Sequence, residues 1–114
     1  MKSLLIAVVT LFVLFSTSLT QEKEVKQASI KVDGVCNMCK NRIEKAINID
    51  EVKFAKWDRE TKKLKLAYES SITLDSLQYL LAMAGHDNEK FTAPDSIYAD
   101  LHKCCKYREN PQSH

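Results

Sequence analysis

Apolar and polar residues alternate along two segments of the chain, 28–32 and 63–68. A period of two is typical of a β-strand with one buried face. We predict a further strand over 52–57, and the polar residues 58–62 then form a hairpin turn between the second and third strands. The pattern therefore predicts an antiparallel hairpin together with one earlier strand.

Two other segments change to the spacing of an amphipathic helix. The first runs from about Asn37 to Asn48, and its apolar face holds Cys39, Ile43, Ala46 and Ile47. The second begins after Thr73, a suitable N-cap, and Gly85 follows it as a C′ residue.

A short, weakly strand-like segment over 89–93 completes the order βαββαβ. Because each strand has one apolar face, we expect an α+β domain with both helices on one face of an antiparallel sheet. After Pro94, a short helix from Asp95 to Leu101 is predicted, and residues 109–114 are expected to fray.

The first twenty residues have a different pattern from the rest. Lys2 is followed by an apolar run from Leu4 to Phe15 and then by small polar residues, the layout of a secretory signal peptide. The run is too short to span a bilayer, which takes about 20 residues. We predict a signal peptide over 1–20 with cleavage near 18–20, a leader over 21–27, a folded domain over 28–93 and a Cys-containing extension and tail over 94–114.

The composition excludes several classes of function. The 114 residues suit one domain, and a net charge of +2 without a run of like charge argues against a nucleic-acid surface. Only two glycines are present, and no hydrolase or phosphate-binding motif appears. We therefore expect neither an enzyme nor a nucleic-acid partner, and we expect the mature protein not to span a membrane.

The strongest chemical signal is the pair Cys36 and Cys39, at the junction of the first strand and first helix. A helix N-terminus favours thiolate, and two residues three apart can converge on one ion. Such a pair suits Cu(I), Zn(II), Cd(II) or Hg(II), although a structural Zn(II) site usually takes four ligands.

With its Gly34-x-Cys36-x-x-Cys39 loop in a βαββαβ order, segment 28–93 resembles the heavy-metal-associated domain family of copper chaperones and mercury-binding proteins. The resemblance implies a ferredoxin-like open-faced sandwich that passes Cu(I) to a metal-transporting membrane protein or metal-receiving domain. The family pattern Gly-Met-x-Cys-x-x-Cys is not matched in full, so the apolar anchor of the loop is either absent or replaced by Val35 or Met38.

Four other residues are candidate auxiliary ligands: Cys104, Cys105, His86 and His102. Neighbouring cysteines rarely bond to each other. We hypothesise that Cys104 or Cys105 approaches the Cys36/Cys39 pair and completes a site of three or four thiolates. His86 is expected in a loop beside that pair, and a role as an ordinary surface histidine stays open for it.

The sequence leaves other functions open. An exported chain with an even number of cysteines is often stabilised by disulfide bonds. The protein would then be a small disulfide-bonded interaction domain. The same Cys36/Cys39 pair could also serve a thiol-disulfide oxidoreductase. We favour an exported protein, periplasmic or secreted, that binds a soft metal ion, most simply Cu(I), and sequesters or transfers it by thiolate exchange.

Overall fold

A computed structural model describes residues 23–114, so the predicted signal peptide lies outside the described residues. Three strands form one antiparallel sheet: β1 (Val25–Lys31), β2 (Val52–Trp57) and β3 (Lys63–Glu69). The strand β3 lies in the middle, in the order β1-β3-β2. The predicted hairpin between β2 and β3 is confirmed, with Trp57 opposite Leu64.

Two helices cover one face of this sheet: α1 (Asn37–Ala46) and α2 (Leu74–Met83). Helix α2 begins as predicted, because the Thr73 Oγ1 accepts a hydrogen bond from the Ser76 N–H at 3.1 Å. Helix α1 ends about two residues before the predicted Asn48. Among residues 23–114, no helix is long and apolar enough to cross a membrane.

The core forms where the alternating strands meet the helices. Ile30 from β1 and Leu64 and Leu66 from β3 are buried, whereas their neighbours Ser29, Lys63 and Lys65 are exposed. The two helices form the second layer of the core, and their buried residues include Cys39, Ile43, Leu77 and Leu81. The α+β class with an open-faced sheet is therefore the observed fold.

The segment over 89–93 is not a strand. Within the described part of the chain, an isolated bridge between Val32 and Asn88 takes its place. The Asn88 side-chain oxygen accepts the backbone N–H groups of Lys90 and Phe91, at 3.1 and 3.0 Å, and so holds a turn. These donors are then not free for a sheet ladder, which explains why a fourth strand does not form there.

The chain after Pro94 packs back on the domain. A five-residue helix, α3 (Asp95–Ala99), is shorter than predicted, and a 3₁₀-helix follows over Lys103–Cys105. Gly85 has a φ of +108°, and a Cβ built there would lie 2.7 Å from the Leu101 Cδ2. Only glycine therefore permits both this backbone conformation and the close approach of Leu101.

The last residues are hydrogen-bonded rather than frayed. The His114 N–H donates to the Val35 carbonyl at 2.9 Å, and the Ser113 hydroxyl donates to the Arg59 carbonyl at 2.6 Å. The Lys62 ammonium in turn donates to the Ser113 hydroxyl at 2.5 Å. The tail therefore runs between the β2–β3 turn and the loop that precedes α1.

Candidate metal centre

The loop between β1 and α1 is shaped by close packing around Gly34. A Cβ built at Gly34 would lie 3.0 Å from both the Cys39 Cβ and the Trp57 ring. The Trp57 Nε1–H donates to the Val32 carbonyl at 2.9 Å, just before this glycine. The indole therefore holds the loop against the sheet and leaves no room for a side chain at position 34.

The two residues expected to replace the apolar anchor have different roles. Val35 is buried in the core with only 1% of its surface exposed, whereas Met38 is 43% exposed. Val35 therefore anchors the loop. The Met38 Sδ lies 3.9 Å from the Cys104 Sγ, on the outer side of the site.

The four cysteines are free thiols and lie together. The Cys36 Sγ is at the centre, 3.6 Å from the Cys39 Sγ and 3.5 Å from the Cys105 Sγ. The Cys104 Sγ lies 4.0 Å from Cys36 and 3.9 Å from Cys105. The sulfurs of Cys36, Cys104 and Cys105 all lie within 4.8 Å of one another.

This spacing is that of metal ligands. With a metal–sulfur bond of about 2.3 Å, three thiolates around one ion in a plane lie about 4.0 Å apart. The sulfurs of Cys36, Cys104 and Cys105 lie 3.5–4.0 Å apart, close to that separation. Cys39 contacts Cys36 but does not belong to that triplet. The geometry therefore fits a three-sulfur site with a fourth sulfur beside it.

The thiols differ in acidity. Burial opposes ionisation of Cys36, but hydrogen bonds from the backbone N–H groups of Cys39 and Met38 and from neighbouring thiols outweigh it, so its pKa is lowered to about 7. Burial raises the pKa of Cys39 to about 12. Burial and the hydrogen bond to Cys105 raise the pKa of Cys104 to about 11. Cys36 is therefore the thiolate of the group.

Tyr107 and Arg108 fix the cysteines of the extension in place. The buried Tyr107 hydroxyl donates to the Gly85 carbonyl at 2.6 Å and accepts the Asp87 N–H at 2.9 Å.

The Arg108 guanidinium binds both carboxylate oxygens of Asp87, at 2.8 and 3.0 Å, and packs on the Tyr98 ring. Although burial raises the pKa of Asp87, these hydrogen bonds outweigh it and lower the pKa. Tyr107 and Arg108, which follow Cys105 and Lys106 in the chain, therefore bind the loop after α2 and hold the two cysteines near it.

His86 lies in the interior beside the loop, with none of its surface exposed. Its Nδ1 is 2.7 Å from the Asp33 carbonyl, one residue before Gly34, and its ring stacks on Tyr107. Burial lowers the pKa of His86 to about 4, so the imidazole is neutral at pH 7. Its Nε2 is buried without a hydrogen-bond partner among the described residues. His86 therefore supports the loop from behind, and its role as a ligand stays a prediction.

His102 is exposed and acts on the backbone. Its Nδ1 accepts a hydrogen bond from the Cys104 N–H at 3.4 Å, which caps the 3₁₀-helix over Lys103–Cys105. The imidazole thereby orients Cys104, and a direct role for His102 in holding a metal stays a prediction.

Sequence reasoning missed Tyr107 and Arg108, and it named Met38 only as a possible apolar anchor of the loop, not as a sulfur beside the cysteines. The exposed thioether at Met38 carries a recognisable signal, since a methionine lies between the two cysteines of the pair. Tyr107 and Arg108 directly follow Cys105 and Lys106, but the carbonyl and carboxylate that they bind are about twenty residues away in the chain. No local pattern reveals that contact.

Comparisons with known proteins agree with this fold. No family model and no curated protein matches the chain. Two solved structures are similar to it. A protein described as CopZ metallochaperone is 27% identical with a TM-score of 0.53, and covers 55% of this chain and 98% of its own. A candidate copper-ion-binding protein from Bacillus anthracis strain Ames is 22% identical with a TM-score of 0.56, and covers 60% of this chain and all of its own.

Both comparison structures are covered almost completely by this chain, which leaves part of the chain outside each match. Taken together with the sheet order, the two covering helices and the Cys36/Cys39 loop, the likeness identifies the fold. The chain contains a domain similar to those of the heavy-metal-associated family, with a ferredoxin-like arrangement of its strands and helices.

Proposed function

We propose that this protein is an exported carrier of a soft metal ion, most simply Cu(I), which it sequesters or passes to a partner. The observation that carries the proposal is the group of free thiols of Cys36, Cys104 and Cys105, whose sulfurs lie within 4.8 Å of one another. Cys39 adds a fourth sulfur at 3.6 Å from Cys36. Sulfur is the donor that Cu(I) prefers.

The number of sulfurs in mutual contact favours Cu(I) over a structural Zn(II) ion. Structural Zn(II) takes four ligands around one point. Among the described residues, only the sulfurs of Cys36, Cys104 and Cys105 lie around one point, and Cys39 is outside this triplet, so the site supplies three ligands where structural Zn(II) needs four. Cd(II) and Hg(II) share the preference for thiolate and are the competing cargoes.

Cys36 is suited to receive the ion first among the buried thiols. Its pKa of about 7 makes about half of it thiolate at neutral pH, and it contacts all three other sulfurs. Each further thiol that binds the ion releases its proton to water. A receiving domain or metal-transporting membrane protein then takes the ion by the same exchange, with one incoming thiolate replacing one outgoing thiolate at a time.

A binding role is favoured over an oxidoreductase. The similar proteins are described as a metallochaperone and a candidate copper-ion-binding protein, which supports a non-enzymatic function. In an oxidoreductase the thiol with the lowered pKa attacks a substrate disulfide. Cys36 has that pKa but is only 7% exposed and packs against Cys105. We expect insulin reduction by the wild type to be no faster than by the Cys36→Ser variant.

A competition titration tests the proposal. The reduced full chain is titrated against a chromophoric Cu(I) chelator, in parallel with Cys36→Ser and with the double variant Cys104→Ser/Cys105→Ser. We expect one tightly bound Cu(I) in the wild type and weaker binding in both variants, with the greater loss in Cys36→Ser. Equal binding by wild type and Cys36→Ser contradicts the proposal. Circular dichroism of each variant checks that the fold is retained.

Export is proposed from residues 1–20 and has its own test. A signal peptide would be removed, so intact-mass measurement of protein recovered from its host should give a chain shortened by about 18–20 residues. Full-length protein retained inside the cell contradicts export and leaves the metal site unaffected.

A further inference from the structure

Met38 occupies an unusual position for an apolar side chain. It is 43% exposed, and only Val25, Phe54 and Tyr79 are comparable among the large hydrophobic residues of the described chain. Its thioether sulfur is 3.9 Å from the Cys104 Sγ. Val35 already supplies the buried anchor of the loop, so Met38 is not required for packing.

The two sulfurs form the outer edge of the cluster. Cys104 is partly exposed, whereas Cys105 and Cys39 have none of their surface exposed. The Cys104 Sγ also contacts Cys36 and Cys105, at 4.0 and 3.9 Å. A continuous series of sulfur contacts therefore leads from Met38 at the surface, through Cys104, to the buried thiols.

We propose that Met38 and Cys104 form an outer binding position, through which Cu(I) enters and leaves the buried site. This inference rests on the proposed function, since it names the route to that same site. A thioether is a soft, uncharged ligand, and two sulfurs are enough to hold Cu(I) for a short time. A harder ion such as Zn(II) gains little from the thioether.

The transfer is a ligand exchange without a change of oxidation state. Cu(I) first bonds to the Met38 Sδ and to the Cys104 Sγ, and the Cys104 thiol releases its proton to water. The Cys36 thiolate then bonds to the ion while the bond to the uncharged Met38 Sδ breaks. Cys105 joins with loss of its own proton, which leaves Cu(I) bound by Cys36, Cys104 and Cys105 and Met38 free again.

The test compares Met38→Leu with Met83→Leu, a matched control at the end of α2. Leucine keeps an apolar side chain of similar size but removes the sulfur. Stopped-flow measurements follow Cu(I) loading from one chelator and Cu(I) removal by another. We expect both rates to fall about tenfold in Met38→Leu, which corresponds to about 1.4 kcal/mol of activation free energy. The equilibrium affinity is expected to change little, because both directions slow together.

A second readout observes Met38 directly. With methyl-labelled methionine, the Met38 methyl resonance should shift or broaden during substoichiometric addition of Cu(I), whereas Zn(II) leaves it in place and Met83 does not respond to either ion. Wild-type exchange rates in Met38→Leu, or an unmoved Met38 resonance, overturn the outer position. Failure of the wild type to bind Cu(I) contradicts the proposed function itself, which separates the two results.

Discussion

The hydroxyl of Tyr107 gives the sharpest test of how the extension is held on the domain. It donates to the Gly85 carbonyl at 2.6 Å and accepts the Asp87 N–H at 2.9 Å, and the side chain is only 4% exposed. Tyr107→Phe keeps the ring, including its stacking on His86 and its edge contact with Tyr98. The variant leaves one backbone acceptor and one backbone donor without a partner.

The expected loss in the free energy of unfolding follows from these two unpaired backbone groups. A buried polar group without a partner costs about 1–3 kcal/mol. Since the Gly85 carbonyl is buried and the Asp87 N–H only partly so, we expect Tyr107→Phe to lower the free energy of unfolding by about 2–3 kcal/mol. Urea denaturation of the reduced, metal-free protein measures this loss, with fluorescence of the buried Trp57 as the signal.

The matched control is Tyr79→Phe. Tyr79 is 50% exposed, and surface substitutions of this kind change stability by less than about 0.5 kcal/mol. A loss at Tyr107 no larger than the loss at Tyr79 would refute the account of how Cys104 and Cys105 are brought to the loop.

Three further predictions concern the same region. Gly85→Ala should cost about 1–3 kcal/mol in urea denaturation, because the positive φ is strained for alanine and its Cβ would overlap Leu101. Because burial lowers the pKa of His86 to about 4, the folded state takes up its proton at lower pH than the unfolded state. Stability is therefore complete above about pH 6.5 and should fall by about 2 kcal/mol between pH 7.5 and pH 5, less so in His86→Gln. The fastest phase of iodoacetamide alkylation should have a pH midpoint of about 7 and should disappear in Cys36→Ser, whereas a midpoint of about 9 would contradict the lowered pKa of Cys36.

Much of the fold could be predicted because its signals are local. The alternation of apolar and polar residues over 63–68 predicts β3. Thr73 predicts the start of α2, because its side chain accepts a hydrogen bond from a residue only three positions along the chain. The segment after α2 could not be predicted in the same way. Its few apolar residues resemble a strand, but the Asn88 side chain bonds to the following backbone N–H groups and makes a turn.

The candidate site shows the same division. The helix start at Cys36 and the three-residue spacing to Cys39 are visible in the sequence, as is the thiolate character that they favour. The position of Cys105 depends on Tyr107 and Arg108, whose partners Gly85 and Asp87 are distant in the chain. Contacts of this kind depend on the tertiary fold and leave no periodic pattern in the sequence.

The extension is expected to add sulfur ligands to the Cys36/Cys39 loop. X-ray absorption at the copper edge measures this directly, because it counts the sulfur atoms bound to Cu(I) in the loaded protein. We expect about three sulfurs in the wild type and two in the double variant Cys104→Ser/Cys105→Ser, because the neighbouring sulfurs lie 3.5–4.0 Å from the Cys36 Sγ. Two sulfurs in both proteins would contradict it.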